Sequence, residues 1–212
     1  MAAVTRPYKG VSADERRATR RAQLIEAGLD VLGDVGLGGL TMTLVCARAG
    51  LTERYFYESF GDREQLLGAI FDSCLEEMDD AMFAALAAAP PNLLERCRAA
   101  AGAMIAVLTD DPRKARMHAE AVGSTTLSER RNRAVAAHAE ILAEQMRELR
   151  DLRRPEQQAP LRLGTRVLIG GLSDAILGWL DGTVPMPRET LIEECARLAV
   201  AVADAVHATT GG

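Results

Sequence analysis

The sequence predicts an all-α fold, and three observations lead to that prediction. Alanine and leucine are abundant whereas aromatic residues make up only 4% of the 212 residues, which favours helices that pack closely through small side chains. Apolar residues recur at helical spacing, and capping residues, glycines and prolines separate the periodic segments. No strand-like alternation and no internal repeat is present in the sequence. All of the predicted elements are therefore helices.

The first predicted helix begins after Ser12, because Ser12 and Glu15 have the spacing of a capping box. Apolar residues follow at helical intervals until Gly33 and Gly36, which are expected to end the helix near Asp34. Residues 1–11 have no periodicity and are expected to form a mobile arm.

Two short helices around a tight turn are predicted over residues 41–60. Thr41 can cap a helix that runs through Ala49, and Gly50 can end it in a left-handed conformation. Thr52 can cap a third helix that runs to about Phe60. The apolar members, which would form a small core, are Val45, Ala49, Leu51, Phe56 and Phe60. This arrangement has the requirements of a helix-turn-helix, with polar and aromatic groups left on the outer face of the third helix.

A long fourth helix is predicted from Asp62 to about Ala89, where Pro90-Pro91 stops it. Further helices are expected at roughly 92–109, 112–122, 126–152, 160–182 and 188–208, with a polar linker at Arg153–Ala159. The predicted domains are a helix-turn-helix domain over residues 12–74 and a larger helical domain over residues 75–212, connected by the long helix.

The charge distribution permits phosphate binding without demonstrating it. The net charge is −5, but residues 1–67 carry equal numbers of basic and acidic side chains, so the excess of acid falls on the remainder. Arg16, Arg17, Arg20 and Arg21 form a local cluster. Such a cluster can contact phosphates, but a solvated helix face paired with nearby acids explains it equally well.

Neither an enzyme nor a metal site is indicated. The four cysteines lie far apart without a C-x-x-C or histidine pairing, and the histidines His118, His138 and His207 suggest no triad. Phosphate loops and zinc-protease motifs do not occur, so no catalytic residue, cofactor or metal is expected. The N-terminus has no apolar signal core and no run of about 18 apolar residues exists, so we expect a cytoplasmic protein without a membrane span.

One segment of the sequence resembles the TetR family of transcriptional regulators. The matching residues, which lie within about residues 14–74, are Ala49-Gly50-Leu51-Thr52, Phe56-Tyr57, Phe60, Asp62-Arg63-Glu64 and Leu66-Leu67. The resemblance implies a homodimer that binds a palindromic double-stranded DNA operator, usually as a repressor, and is released when a small-molecule effector binds the larger domain.

The resemblance also implies which residues contact DNA. Groove-facing positions correspond to Thr52, Arg54, Tyr55 and Tyr57, and positions near phosphates correspond to Thr43, Ser59 and Arg63. Arginine can pair with guanine edges and hydroxyls can donate to phosphate oxygens. Many relatives carry a small Gly-Thr or Gly-Ser pair where this chain has Glu53-Arg54-Tyr55, so its own DNA preference is expected to lie there.

The last two predicted helices each carry a broad apolar stripe. Two such helices from each subunit could form a four-helix dimer interface, although both stripes could instead pack within one protomer. The candidate interface residues are Val167, Gly171, Leu172, Ala175, Trp179, Leu191, Cys195, Leu198 and Val202.

The resemblance implies an effector cavity among the middle helices, at about residues 78–152. An adaptable, mostly apolar pocket would suit the methionines there, with His118 or Glu120 as a polar anchor. The candidate lining residues, each of which could also be plain core, are Met78, Met82, Phe83, Met104, Leu108, Met117 and His118.

A second function is also compatible with the sequence. The acidic overall charge and Glu53 leave open a helical ligand-binding or adaptor protein that has lost DNA binding.

Overall fold

The computed structural model describes residues 12–210, and these residues form nine helices without any strand. The helices are α1 Ala13–Gly39, α2 Met42–Ala49, α3 Glu53–Ser59, α4 Arg63–Ala88, α5 Leu93–Asp110, α6 Pro112–Val122, α7 Ser128–Arg150, α8 Pro155–Leu180 and α9 Arg188–Thr210. The all-α prediction is confirmed. The mobile arm predicted for residues 1–11 lies outside the described residues.

The start of α1 follows the predicted capping box, but its end does not follow the prediction. The backbone N–H of Glu15 donates to the Ser12 hydroxyl at 3.1 Å, and the Glu15 carboxylate accepts from the Ser12 N–H at 2.6 Å. The helix continues beyond Asp34 to Gly39, although Gly36 interrupts it with a φ of 74°. The Glu120 carboxylate accepts a hydrogen bond from the Leu37 N–H just after this interruption, so a contact from α6 supports the turn that the local sequence disfavours.

Helices α2 and α3 surround the predicted glycine turn. The Thr41 hydroxyl accepts from the Leu44 N–H at 3.3 Å, and Gly50 ends α2 with φ 64° and ψ 29°. Thr52 occupies the N-cap position of α3, but its side chain makes no capping hydrogen bond. Its hydroxyl therefore stays available to a partner outside the helix.

The described chain divides into two compact units. The first comprises the residues up to Cys74 together with Pro112–Leu127, and the second comprises Leu75–Asp111 together with the residues from Ser128 onward. One boundary of these units falls after Cys74, and α6 belongs to the first unit although the sequence analysis placed it within the domain of residues 75–212. Because α6 packs along α1, its position follows from tertiary contacts that the sequence order does not reveal.

Helix α8 begins earlier than predicted. Pro155 occupies the first turn, where its missing N–H costs nothing, and the Gln157 side chain accepts from the Arg154 N–H at 3.1 Å. The predicted linker at Arg153–Ala159 is therefore wrong from Pro155 onward. Its polar residues form the first turns of the helix, which continues through Pro160.

The second unit buries its core among α5, α7, α8 and α9. Gly164 on α8 allows a close approach to α9, since a Cβ atom there would lie only 2.7 Å from the Val202 Cγ1. The buried residues of the main cluster are Leu93, Ala143, Met146, Leu152, Leu161, Ala199, Ala203 and Val206. A smaller cluster combines Ile105, Leu191 and Cys195. These two clusters leave space between them for the cavity described below.

Candidate functional site

Helix α3 is anchored through one apolar face. Val45 and Phe56 are completely buried and Phe60 is 3% exposed. The rings of Phe56 and Phe60 lie 5.8 Å apart between centroids. This anchoring fixes which side chains of α3 face outward.

Four of the predicted contact residues are exposed, three on α3 and its N-cap and one on α2. The side chain of Arg54 is 84% exposed and Tyr57 is 59% exposed. Thr43 and Thr52 are exposed as well. The exposed groups of α3 and its N-cap are thus a guanidinium, a phenol and a hydroxyl, and α2 adds the Thr43 hydroxyl; such groups suit base edges and phosphate oxygens.

Tyr55 is half-buried rather than free. The guanidinium of Arg20 on α1 lies over its ring, with 4.5 Å from Cζ to the ring centroid. Tyr55 therefore links α3 to α1, and only part of its side chain remains available to an external partner.

Sequence reasoning missed Glu58, which lies between two arginines. Its carboxylate is 3.1 Å from Arg54 Nε and 3.5 Å from Arg20 Nη2. The i, i+4 spacing of Arg54 and Glu58 was the local signal for the first of these ion pairs. Glu58 restrains the exposed guanidinium of Arg54 and connects it to α1.

Two of the predicted phosphate-contacting residues face inward. The Ser59 hydroxyl is buried and has no hydrogen-bond partner among the described residues, so it is not accessible to a phosphate in this conformation. Arg63 is partly buried, and its guanidinium donates to the carbonyl oxygens of Leu37 and Leu40. The Arg63 contacts tie the first turn of α4 to the end of α1.

A mostly apolar cavity of about 120 Å³ lies within the second unit. Its wall draws on α4, α5, α7, α8 and α9, and Met82 and Met104 are the two predicted residues in it. The remaining apolar lining includes Leu86, Ile141, Leu142, Ile169, Leu172 and Ile176. Such a lining suits an apolar ligand.

The other predicted ligand residues do not line this cavity. Met78 and Leu108 are buried in the protein interior, whereas Phe83 is 49% exposed. Met117 and His118 belong to the first unit, where the His118 ring lies 5.5 Å from the Phe71 ring. Glu120 on the same helix hydrogen-bonds the Leu37 N–H. The sequence analysis placed α6 in the ligand-binding domain. Because α6 belongs to the first unit, Met117, His118 and Glu120 lie outside the unit that contains the cavity.

Polar groups enter the cavity wall at only a few points. Arg96 donates from Nη1 to Gln145 Oε1 at 2.7 Å, and His138 Nε2 lies 2.6 Å from Asp79 Oδ1. Burial raises the pKa of the Cys97 thiol, which also lines the cavity, to about 11. No group of three or more metal-ligating side chains occurs among the described residues.

Helices α8 and α9 expose part of their apolar stripes. Val167 is 66% exposed, Leu163 is 68% exposed and Leu198 is 48% exposed. Gly171 is exposed as well, with open space where a Cβ atom would lie. Leu163, Val167 and Gly171 are spaced four residues apart and so share one face of α8, and Leu198 is an exposed apolar residue of α9.

Other predicted interface residues pack inside the protomer. Leu191 and Cys195 are each 4% exposed and belong to a buried cluster with Ile105. Trp179 and Leu172 pack against that cluster, and the Trp179 indole donates to the Met186 carbonyl at 2.8 Å. Ala175 and Val202 are also partly buried, and Val202 packs against the main core cluster. The apolar stripe of α9 thus serves mainly the protomer's own core.

Helix α8 is also long and apolar enough, by length and composition alone, to cross a membrane. Only 6% of its most apolar window is buried. A single helix of this kind is weak evidence for a membrane span, because a helix that packs against another protein chain has the same composition.

The first unit matches a family model described as bacterial regulatory proteins of the tetR family, over residues 24–70. Among curated proteins, the chain is 40% identical over 74 residues to the HTH-type transcriptional regulator BetI of Rhizobium meliloti (strain 1021). That alignment covers 34% of this chain and 36% of the relative. A BetI of Escherichia coli O127:H6 is 31% identical over 80 residues, covering 38% and 41% of the two chains. The chain therefore matches well under half the length of these relatives.

Solved structures resemble nearly the whole chain. A tetR-family transcriptional regulator from Streptomyces coelicolor superposes with a TM-score of 0.72 at 21% identity, over 92% of this chain and 84% of that one. The fatty acid degradation regulator FadR from Bacillus halodurans gives 0.71 at 18% identity, over 85% and 94%. At such low identities the similarity concerns the fold alone.

Proposed function

We propose that the chain is a TetR-family regulator, on the family match over residues 24–70 and the similarity to BetI over 74 residues, and that it acts as a homodimeric repressor of transcription that a small molecule releases from a palindromic operator. The proposed location is the cytoplasm, where the DNA is. The proposal includes no catalytic step.

The exposed face of α3 is the observation that carries this proposal. A buried anchor at Phe56 holds the helix while Arg54 and Tyr57 stand in solvent next to the free hydroxyl of Thr52. A helix of this kind fits the major groove, where arginine reads guanine through its O6 and N7 atoms.

The alternative is an adaptor that has lost DNA binding. Glu53 favours it, because an exposed carboxylate in the first turn of α3 would be repelled by phosphates. Glu53 is compatible with DNA binding if its carboxylate accepts a hydrogen bond from the N4 amino group of cytosine.

Binding to a labelled duplex that carries the gene's own promoter region distinguishes the two functions. We expect fluorescence anisotropy to report specific binding that weakens steeply as salt is raised, because phosphate contacts release counterions. Binding that does not exceed binding to random DNA at any salt concentration would favour the adaptor.

Variants of the exposed face locate the binding surface. Arg54→Ala and Tyr57→Phe are expected to weaken operator binding by about tenfold or more while leaving the dimer intact, since each removes one group able to reach a base or phosphate. Arg197→Ala is the matched control, because the Arg197 side chain is 66% exposed on α9. Unchanged affinity in both α3 variants would reject this surface.

The proposed dimer uses the exposed residues of α8 with Leu198 of α9. Large apolar side chains exposed together on a soluble protein mark an interaction surface. A two-fold axis would place the same α8 residues opposite each other. Two recognition helices held about 34 Å apart can then read both halves of a palindrome.

The proposed effector site is the cavity of the second unit. It combines an apolar lining with a few polar groups, which is the usual composition of a small-molecule site. A ligand that binds the DNA-free conformation better than the DNA-bound one would release the operator by that difference in affinity.

A further inference from the structure

The wall of the cavity in the second unit contains one cation without a matching anion. Arg96 on α5 lines the cavity, and among the described residues no carboxylate forms an ion pair with it. Its Nη1 donates to the neutral side chain of Gln145 at 2.7 Å. A guanidinium at an apolar wall is normally paired with an acid, so this arrangement is incomplete within the described residues.

The acidic residues beside Arg96 and Gln145 in the sequence already have other partners, and so does Asp79, which contacts the cavity-lining residue His138. Glu95 lies 2.5 Å from Arg98 Nη1, and Glu144 lies 2.7 Å from Arg147 Nη1. Asp79 Oδ1 lies 2.6 Å from His138 Nε2. A rotamer change that supplied Arg96 with one of these acids would therefore break an existing contact.

The guanidinium of Arg96 has hydrogen-bonding capacity that no group among the described residues uses. Its Nε is buried and has no hydrogen-bond partner among the described residues, whereas Nη1 is used by Gln145. The Nε and Nη2 donors of a guanidinium point in parallel, and this edge matches the two oxygens of a carboxylate. A buried unsatisfied donor costs stability that such a ligand would recover.

The volume limits the apolar part of the ligand. A cavity of about 120 Å³ is similar in size to an engineered apolar cavity of roughly 150 Å³ that binds benzene. One ring or a short branched chain therefore fills it. A single cation also suits one negative charge, because a phosphate monoester would bring a second charge that no other group in the wall balances.

We infer that this cavity takes a small monocarboxylate with an apolar body, whose carboxylate binds the guanidinium of Arg96 while Gln145 holds its Nη1. Only the claim that this carboxylate regulates DNA binding rests on the proposed effector role of the second unit. The binding itself can be measured without DNA.

Calorimetric titration of the full-length protein with matched probe pairs tests the inference. Benzoate and benzamide share shape but differ in charge, and hexanoate and hexanamide do the same for a flexible chain. We expect at least one carboxylate to bind about tenfold or more tightly than its amide, because only the carboxylate brings an opposite charge and two equivalent acceptor oxygens to the arginine. Equal affinity within both pairs, or no measurable heat from either carboxylate, would overturn the inference.

Variants at Arg96 separate the role of the guanidinium from the shape of the cavity. Arg96→Gln should bring the affinity of the carboxylate down to that of its amide, and Arg96→Lys should recover only part of the preference because it lacks the planar fork. Arg98→Gln is the matched control on the same helix, since Arg98 is already paired with Glu95 and Glu193. A carboxylate preference that persists in folded Arg96→Gln would overturn the inference.

Binding to the promoter is measured separately from binding of the probes, so the two proposals can fail independently. If the carboxylate binds through Arg96 but the protein never binds its promoter, the proposed regulatory function fails while the ligand class stands. If the promoter is bound and no probe binds, the ligand class fails while the regulator stands.

Discussion

Arg63 Nε donates to the carbonyl oxygen of Leu40 at 2.6 Å, which fastens the start of α4 to the end of α1. A second donor of the same guanidinium reaches the carbonyl of Leu37. Carbonyl groups at a helix C-terminus have no partner within the helix, and a positive side chain is the favourable one to satisfy them. Arg63 therefore acts as a structural cap in this conformation.

Replacing Arg63 should reduce stability. Arg63→Gln is expected to lower the free energy of unfolding by about 1 to 3 kcal/mol, because it removes charged hydrogen bonds to two partly buried carbonyls. Urea denaturation followed by circular dichroism measures this change. Arg17→Gln, at an exposed arginine of α1, is the control and should stay within about 0.5 kcal/mol of the parent. Parental stability combined with lost operator binding would instead assign Arg63 to phosphate contact.

A side chain at Gly36 should destabilise the protein. Its φ of +74° is strained for other residues, and a Cβ atom there would lie 2.6 Å from Arg116 Nη2 and 2.8 Å from Glu120 Oε1. We expect Gly36→Ala to cost about 1 to 3 kcal/mol of unfolding free energy. In Gly38→Ala the new methyl group meets open space, so the same measurement should show a neutral or slightly stabilising change. Equal effects in the two variants would contradict this explanation.

The local features of the first unit could be predicted because their causes are local. The Ser12 and Glu15 capping box and the left-handed Gly50 each depend on residues within a few positions. The partners of Arg63, in contrast, lie 23 and 26 residues away in the sequence. Hydrophobic periodicity carries no information on contacts at that sequence separation, so the two carbonyl partners of Arg63 could not be predicted, and its phosphate contact stays a prediction.

The cavity wall likewise combines residues that the sequence could predict with one that it could not. Met82 and Met104 were predicted as lining residues from their side-chain chemistry, and the structure places both in the wall. Arg96 was not predicted, because a charged residue on an amphipathic helix is ordinarily assigned to the solvent-facing side. Only the packing of α5 against α7, which brings Gln145 to Arg96, reveals its position.

Glu58 should limit the electrostatic part of DNA binding. Glu58→Gln would free Arg54 and Arg20 from their shared carboxylate and remove one negative charge beside the proposed interface. We expect affinity for random DNA to rise and the slope of log Kobs against log salt to steepen by about one unit, while stability changes by less than about 1 kcal/mol. Anisotropy titrations over a salt series measure the slope. Glu194→Gln on α9 is the control, and a slope equal to the parental one would refute this role for Glu58.

The Cys97 thiol should react slowly at neutral pH. Burial raises its pKa to about 11, so the reactive thiolate is the minor species until the solution becomes strongly alkaline. At pH 8 we expect its alkylation by iodoacetamide, followed by peptide mass spectrometry, to be about a hundredfold slower than in the urea-unfolded chain. The rate in the folded protein should keep rising above pH 9, where the rate in the unfolded chain levels off. A plateau near pH 9 in the folded protein would contradict the raised pKa.

Val167 should determine whether the protomers associate. In an interface built around a two-fold axis, Val167→Glu introduces two carboxylates into an apolar contact, and each loses water without gaining a partner. We expect the dimer dissociation constant, measured by sedimentation equilibrium, to rise by more than about a hundredfold. Val122→Glu is the control, because Val122 is also exposed, at 44%, but lies on α6. If the Val167 variant remains dimeric, the exposed face of α8 is not the interface, whereas a monomer that also loses promoter binding ties DNA recognition to the pairing of two protomers.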